Sequence, residues 1–270
     1  MTSAPIDDVS IACQRYREDG WLPLATPVDQ SVVSYVRDSI DRWVSVPPEG
    51  SAFEPDGRTL RAVHGCHLVD DVYARLTRLP TFLNLAREIL QDDVYVYQFK
   101  VNIKQAFEGK AWPWHTDFSF WVNEDGMKSP DALNVAVNID DVHTENGPIV
   151  LLSGSHNAEI GSALAPRSAA PGSNWRDSVS AELPYTVDES VVWQLSRHYP
   201  QTRLTGPAGS AFAFHPSIVH SSSNNLSAER RSLLIITYNA ISNVPARLAR
   251  PEFLVGRDAA PLQPLAGPVV

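Results

Sequence analysis

Val94-Tyr-Val-Tyr-Gln-Phe-Lys-Val-Asn-Ile-Lys104 is the stretch that decides the fold. β-Branched or aromatic side chains fall at nearly every other position, the period of a strand with one face in a core. Ala132-Leu-Asn-Val-Ala-Val-Asn-Ile139 alternates in the same manner. Shorter strand-like runs follow at Pro148–Leu152, Ala211–Phe214 and Ser232–Tyr238. Upstream the period changes to that of helices. Asp7 or Asp8 can cap a helix that ends at Gly20, with Val9, Ile11, Ala12 and Tyr16 at apolar spacing. Trp21–Ala25 reads as a short strand, Ser31–Val44 as a second helix, and 47–58, rich in Pro and Gly, as a mobile loop. Asp70–Leu90 is helical again, interrupted at Pro80. Helices followed by many closely spaced strands predict a mainly β fold, a jelly-roll of the cupin-like, double-stranded β-helix type, with N-terminal and covering α-helices. The expected layout is one domain: 1–92 mostly helical support, 93–240 the jelly-roll core with an inserted lid at about 157–200, and 241–270 a C-terminal segment.

The composition fits one large folded unit: 270 residues, 43% hydrophobic and 20% charged. A net charge of −9 without any basic run disfavours nucleic acid and anionic membrane as partners. No apolar stretch approaches membrane-spanning length, and the N-terminus lacks the basic and apolar regions of a secretory signal. Cys13 and Cys66 make no disulfide framework, so a reducing cytoplasm is expected. No signal for a protein partner is evident.

The chemistry is concentrated in Trp112-Pro-Trp-His-Thr-Asp117. In a strand, residues two apart share a face, so His115 and Asp117 would point to one place. His220 is the natural third donor, completing a two-histidine, one-carboxylate triad that leaves positions on Fe(II) open for a co-substrate and O2. Arg231 opens the strand-like run after it, where a guanidinium suits the far carboxylate of a chelating 2-oxo acid. His64, His67, His143, His156, His198 and His215 remain alternatives, as surface or core residues.

The ordered series Arg61-Ala-Val-His-Gly-Cys-His67, Gln98-Phe-Lys100, Trp112-Pro-Trp-His115, Glu124-Asp-Gly-Met127, Asn134-Val-Ala-Val137, Asn146-Gly-Pro148, Thr205-Gly-Pro-Ala-Gly-Ser210 and Pro251-Glu-Phe-Leu254 resembles the phytanoyl-CoA dioxygenase superfamily of Fe(II)/2-oxoglutarate oxygenases. Within it, bacterial hydroxylases of free L-proline are most similar, over about four-fifths of the chain, and those of ectoine more distantly. The resemblance implies His115, Asp117 and His220 as iron ligands, and Arg231, Lys104, Ser222 and Asn134 on the 2-oxoglutarate side. It implies Gln98 and Trp121 toward the substrate, with Arg61 and His64 as candidates to hold a substrate carboxylate. Thr116, Phe118 and His215 flank the candidate ligands and are expected to influence how a substrate sits. The implied activity is hydroxylation of a small free amino acid, L-proline at C4 foremost, with 2-oxoglutarate converted to succinate and CO2 and ascorbate serving as reductant in vitro. The alternatives are the same chemistry on another amino acid or natural-product intermediate, and a non-catalytic, cupin-like metal binder.

Overall fold

The structure is a computed structural model that describes residues 9–158 and 175–270. Asp7 and Asp8, the expected caps, lie outside the described residues. The first helix, α1 (Val9–Asp19), ends where Gly20 turns to φ +74° and donates its N–H to Tyr16 O. After the short strand β1 (Trp21–Pro23) comes α2 (Gln30–Ser45), whose cap Asp29 accepts a hydrogen bond from Ser31 N at 2.7 Å. Two small strands follow, β2 (Ser51–Phe53) and β3 (Leu60–His64). The helical stretch around Pro80 is two helices, α3 (Asp71–Leu76) and α4 (Pro80–Leu90). Pro80 lies in the first turn of α4, where its missing N–H breaks no helical hydrogen bond.

The remaining chain supplies β4 (Val94–Lys104), β5 (Trp112–His115), α5 (Asp117–Phe120), β6 (Ala132–Asn138), β7 (Ile149–Leu152), α6 (Glu189–Leu195), β8 (Gln201–Leu204), β9 (Ala211–Phe214), β10 (His220–Ser222) and β11 (Arg231–Ala240). Seven strands form one sheet in the order β1-β9-β6-β11-β4-β3-β2, and four form a second in the order β5-β10-β7-β8. Every pairing among these strands is antiparallel, as a jelly-roll requires.

Strand alternation sorts the core into layers. Leu133, Val135 and Val137 of β6 and Leu234, Ile236 and Tyr238 of β11 pack on Val32, Val36 and Ile40 of α2 and Phe82 and Leu83 of α4. Full burial of each such aliphatic side chain contributes about 1.5–3 kcal/mol. The alternate positions Ala136, Leu233 and Ile235 turn the other way, joining Ile149, Leu151, Phe212, Phe214 and Ile218 between the sheets. In β4 a bulge interrupts the alternation: Thr237 pairs with Gln98 but Tyr238 pairs with Val96, leaving Tyr97 as the extra residue. The bulge lets Val96 and Phe99 both reach the helix-side core, although they are three residues apart.

One expectation changes. The segment read as a mobile loop contains β2, which pairs with β3. Beside their four α-helices, the first ninety-two residues also give the large sheet three short strands. Of the expected lid, 159–174 lie outside the described residues. The part that is described forms a 3₁₀ turn at Trp175–Val179, then α6. Val179 and Leu183 pack beside Phe120 and Trp121. Among the described residues, no helix is long and apolar enough to cross a membrane.

Candidate active site

β5 and β10 pair so that His115 and His220 lie directly opposite, with ring centroids 4.2 Å apart. His115 Nδ1 lies 2.6 Å from Pro113 O, and His220 Nδ1 lies 3.0 Å from Ile218 O. A carbonyl only accepts, so each Nδ1 carries the proton and each Nε2 keeps a free lone pair. Asp117 is not on the strand, as its spacing suggested, but is the first residue of α5. The convergence survives because the intervening Thr116 is extended (φ −120°, ψ 142°) while its hydroxyl caps the helix through Ser119 N. Asp117 Oδ1 thus comes to 3.9 Å from His115 Nε2, and ligand atoms of all three residues lie within 4.8 Å of one another.

Electrostatics puts the three in ligand form. Burial, reinforced by His220, drives the His115 imidazole down to about 3, and burial likewise lowers His220. Burial alone would raise the Asp117 carboxyl, but the Lys100 ammonium nearby and the hydrogen bond from Asn134 work against it, and the carboxyl lies below the usual range. Two neutral imidazoles and a carboxylate, all buried, form a donor set suited to a divalent transition metal. Asn134, on β6, donates from Nδ2 to Asp117 Oδ2 at 2.8 Å and accepts from Thr237 Oγ1 at 2.6 Å. It is absent from the cavity wall, so its place is behind Asp117 rather than on the co-substrate.

The cavity over these residues lies between the two sheets, and Arg231 lines it at the end where β11 begins. The guanidinium is buried, and among the described residues no carboxylate forms an ion pair with it. It donates to Gly147 O, its Nε has no partner, and burial with Arg61 nearby lowers it to about 9. A buried cation lacking an anion is costly, so this end fits an acidic ligand. Ser222 of β10 lines the wall beside it. Lys104 is the register partner of Arg231, yet it does not line the cavity. Its ammonium is spent on Lys110 O and Ser223 O, each at 2.6 Å.

Other expected residues divide. Gln98, His64 and Trp121 line the cavity. His64 Nε2 is buried without a partner, and Trp121 packs edge-on to Tyr97 at 5.1 Å between centroids. Arg61 does not line it: both Glu54 oxygens take its Nη1, at 2.9 and 3.1 Å, and Val179 O and Ala111 O take further donors. It is a buried clamp joining the chain before β5 to the covering segment, with no charge left for a substrate. Thr116, Phe118 and His215 stay off the cavity wall, and His215 instead packs at a tilt against Tyr16 and His156.

Sequence reasoning missed Lys100, Asn102, Trp112, Phe120 and Arg250, all of which line the cavity. For Arg250 a signal existed. It precedes the shared Pro251 run, and it donates to Asp125 Oδ1 at 2.9 Å and pairs with Glu124 at 3.1 Å, within the shared Glu124-Asp125 run.

Known proteins match this arrangement. The chain is 48% identical over 263 residues to the L-proline trans-4-hydroxylase of Streptomyces griseoviridis, covering 97% of each. EctD from S. alaskensis with bound Fe has a TM-score of 0.81 at 26% identity, over 100% of this chain and 91% of that one. The same protein with 2-oxoglutarate and 5-hydroxyectoine gives 0.80 at 25%, with the same coverage. The model of the phytanoyl-CoA dioxygenase family matches residues 16–233, more than three-quarters of the sequence, and this chain belongs to that family.

Proposed function

We propose that the protein is an Fe(II)- and 2-oxoglutarate-dependent hydroxylase of free L-proline, acting at C4. The observation that carries the reading is one cavity that joins the His115–Asp117–His220 cluster to the anion-poor Arg231, in a chain so similar to a proline hydroxylase. His115, Asp117 and His220 would hold the iron. Arg231, with Ser222 beside it, would hold the distal carboxylate of 2-oxoglutarate. When bound, the iron and its co-substrate supply O2 activation coupled to decarboxylation of 2-oxoglutarate, giving succinate, CO2 and a hydroxylated C–H carbon.

The protein's own residues orient and enclose. Asn134 and Thr237 fix the Asp117 carboxylate, leaving Oδ1 facing His115. Phe120, Trp121, Trp112 and Leu183 line the walls with apolar surface that excludes water from the reacting carbon. Lys104 and Arg61 act at one remove, fixing the loop around Lys110 from two sides. The cytoplasm is the proposed home, consistent with Cys13 and Cys66 both being free and buried.

The test is incubation of the protein with Fe(II), ascorbate, 2-oxoglutarate and L-proline, with NMR of the product. Trans-4-hydroxyproline formed together with succinate is the expected result. Absence of both succinate and any hydroxyproline removes L-proline from the reading.

A further inference from the structure

Among the described residues three basic side chains of lysine or arginine line the cavity: Lys100, Arg231 and Arg250. Arg250 is neutralised by Glu124 and Asp125. Arg231 stands at the end assigned above to the co-substrate. That leaves Lys100. Its ammonium faces one carboxylate oxygen, Asp117 Oδ1, at 3.6 Å, beyond hydrogen-bond length. This is the same oxygen that faces His115 Nε2. A divalent ion held by Asp117 would take that oxygen's charge and leave the ammonium in the cavity without a counter-ion.

Position separates the two cations. Lys100 pairs with Ile235 in the ladder and Arg231 pairs with Lys104, four residues away, or about 14 Å along the strand at about 3.4 Å per residue. The cavity is thus basic at two places along β4, and one dianion anchored at Arg231 leaves the other free. His64, the register partner of Lys100 on β3, adds to the same wall a buried Nε2 that has no hydrogen-bond partner among the described residues. We propose that Lys100 binds the α-carboxylate of the substrate, so that the enzyme requires a free amino acid and rejects a prolyl residue whose carboxylate is in a peptide bond. The inference rests on the reading of the site as an amino-acid hydroxylase.

The test is calorimetric binding of L-proline and L-prolinamide to protein loaded with nickel(II) and 2-oxoglutarate, which does not turn over. The unsubstituted protein is expected to prefer L-proline over the amide. In Lys100→Met, L-proline should weaken roughly 10- to 100-fold, the scale of a hydrogen bond to a charged group, and the preference should vanish. Lys100→Arg should retain the preference, 2-oxoglutarate affinity should be unchanged in both variants, and thermal unfolding should confirm that both are folded. A Lys100→Met protein that keeps the preference overturns the proposal, as does one that loses 2-oxoglutarate affinity instead. An unsubstituted protein that binds no free amino acid overturns the hydroxylase reading, and this inference with it.

Discussion

Replacing Asn134 with alanine tests whether the carboxylate of the cluster is held from behind. Asn134 is fully buried and is the only side-chain amide that donates to Asp117 among the described residues. A hydrogen bond to a charged group contributes about 1.5–3 kcal/mol, and 1.4 kcal/mol is tenfold in an equilibrium constant. If the bond serves to keep Oδ1 aimed at the metal, Asn134→Ala should weaken metal affinity roughly 10- to 100-fold, in line with supporting residues at other metal centres. Competition titration of Fe(II) against a chelator without oxygen reads this directly. The substitution also leaves the Thr237 hydroxyl without its acceptor, so the melting temperature should fall by a few degrees. Thr237→Val removes only the outer bond and should cost less, about 1 kcal/mol. Asn134→Asp sets a second carboxylate against Asp117 and should be worse than alanine. An Asn134→Ala protein with unchanged metal affinity and a lowered melting temperature would show that Asn134 only packs the core, and the positioning argument would fail.

Three other outcomes are expected. Asp117→Ala and His115→Ala should each abolish iron-dependent hydroxylation; retention of full activity by either, in protein freed of iron and then reloaded, would exclude that residue as a ligand. Arg231→Ala should raise the 2-oxoglutarate KM at least 100-fold. Arg230→Ala should leave it unchanged and lower stability by about 1 kcal/mol, because Arg230 is engaged with Asp140 and Asp41. The reverse order in steady-state kinetics would refute the register of β11. Stability should also fall on acidification. Burial pushes His64 and His215 down to about 3 and His67 to about 4, whereas an unfolded histidine titrates near 6.5. The unfolded chain then binds more protons below about pH 6.5, so stability is lost as pH falls below that value and the loss levels off only below the folded pKa. Each histidine costs up to about 1 kcal/mol between pH 6.5 and 5.5. Denaturant titrations showing equal stability at those two pH values would contradict the assignment of these groups as buried and neutral.

Much of this was legible in the chain because long alternating runs leave little choice. The limits of β4 agree with the reading of 94–104 to the residue, and β6 and β9 follow their alternation closely. β3 was hidden because Arg61 and His64 break its apolar pattern. Only the structure shows that Glu54 neutralises one and that the cavity receives the other. The ligand residues were legible for a reason that turned out slightly different: α5 starts at Asp117, and convergence depends on one extended residue, Thr116. Charge state was the least legible quantity. Lys100, Lys104, Arg61, Arg231 and Arg250 look alike in sequence, and only their partners distinguish a spent cation from an available one.

The bulge at Tyr97 explains why the cavity wall can be assembled from segments so far apart in the chain. An unbroken β4 would alternate strictly, and Val96 and Phe99 could not both face the helices. The extra residue resolves this conflict and leaves Tyr97 beside Gln98 with its own contacts to make. Its carbonyl accepts from Gly256 N at 2.8 Å, and its hydroxyl bonds to Asp125. Asp125 ends a π-helical turn (Trp121–Asp125) that carries Trp121 to the cavity, and the same carboxylate holds Arg250. A side chain at Gly256 would sit 2.2 Å from Val96 O, so the C-terminal segment lies against the bulge as closely as backbone can. The C-terminal segment is therefore a wall, since Arg250 and Leu254 both line the cavity. Loss of the bulge would shift the facing of every residue on one side of it and undo the contacts that hold that wall.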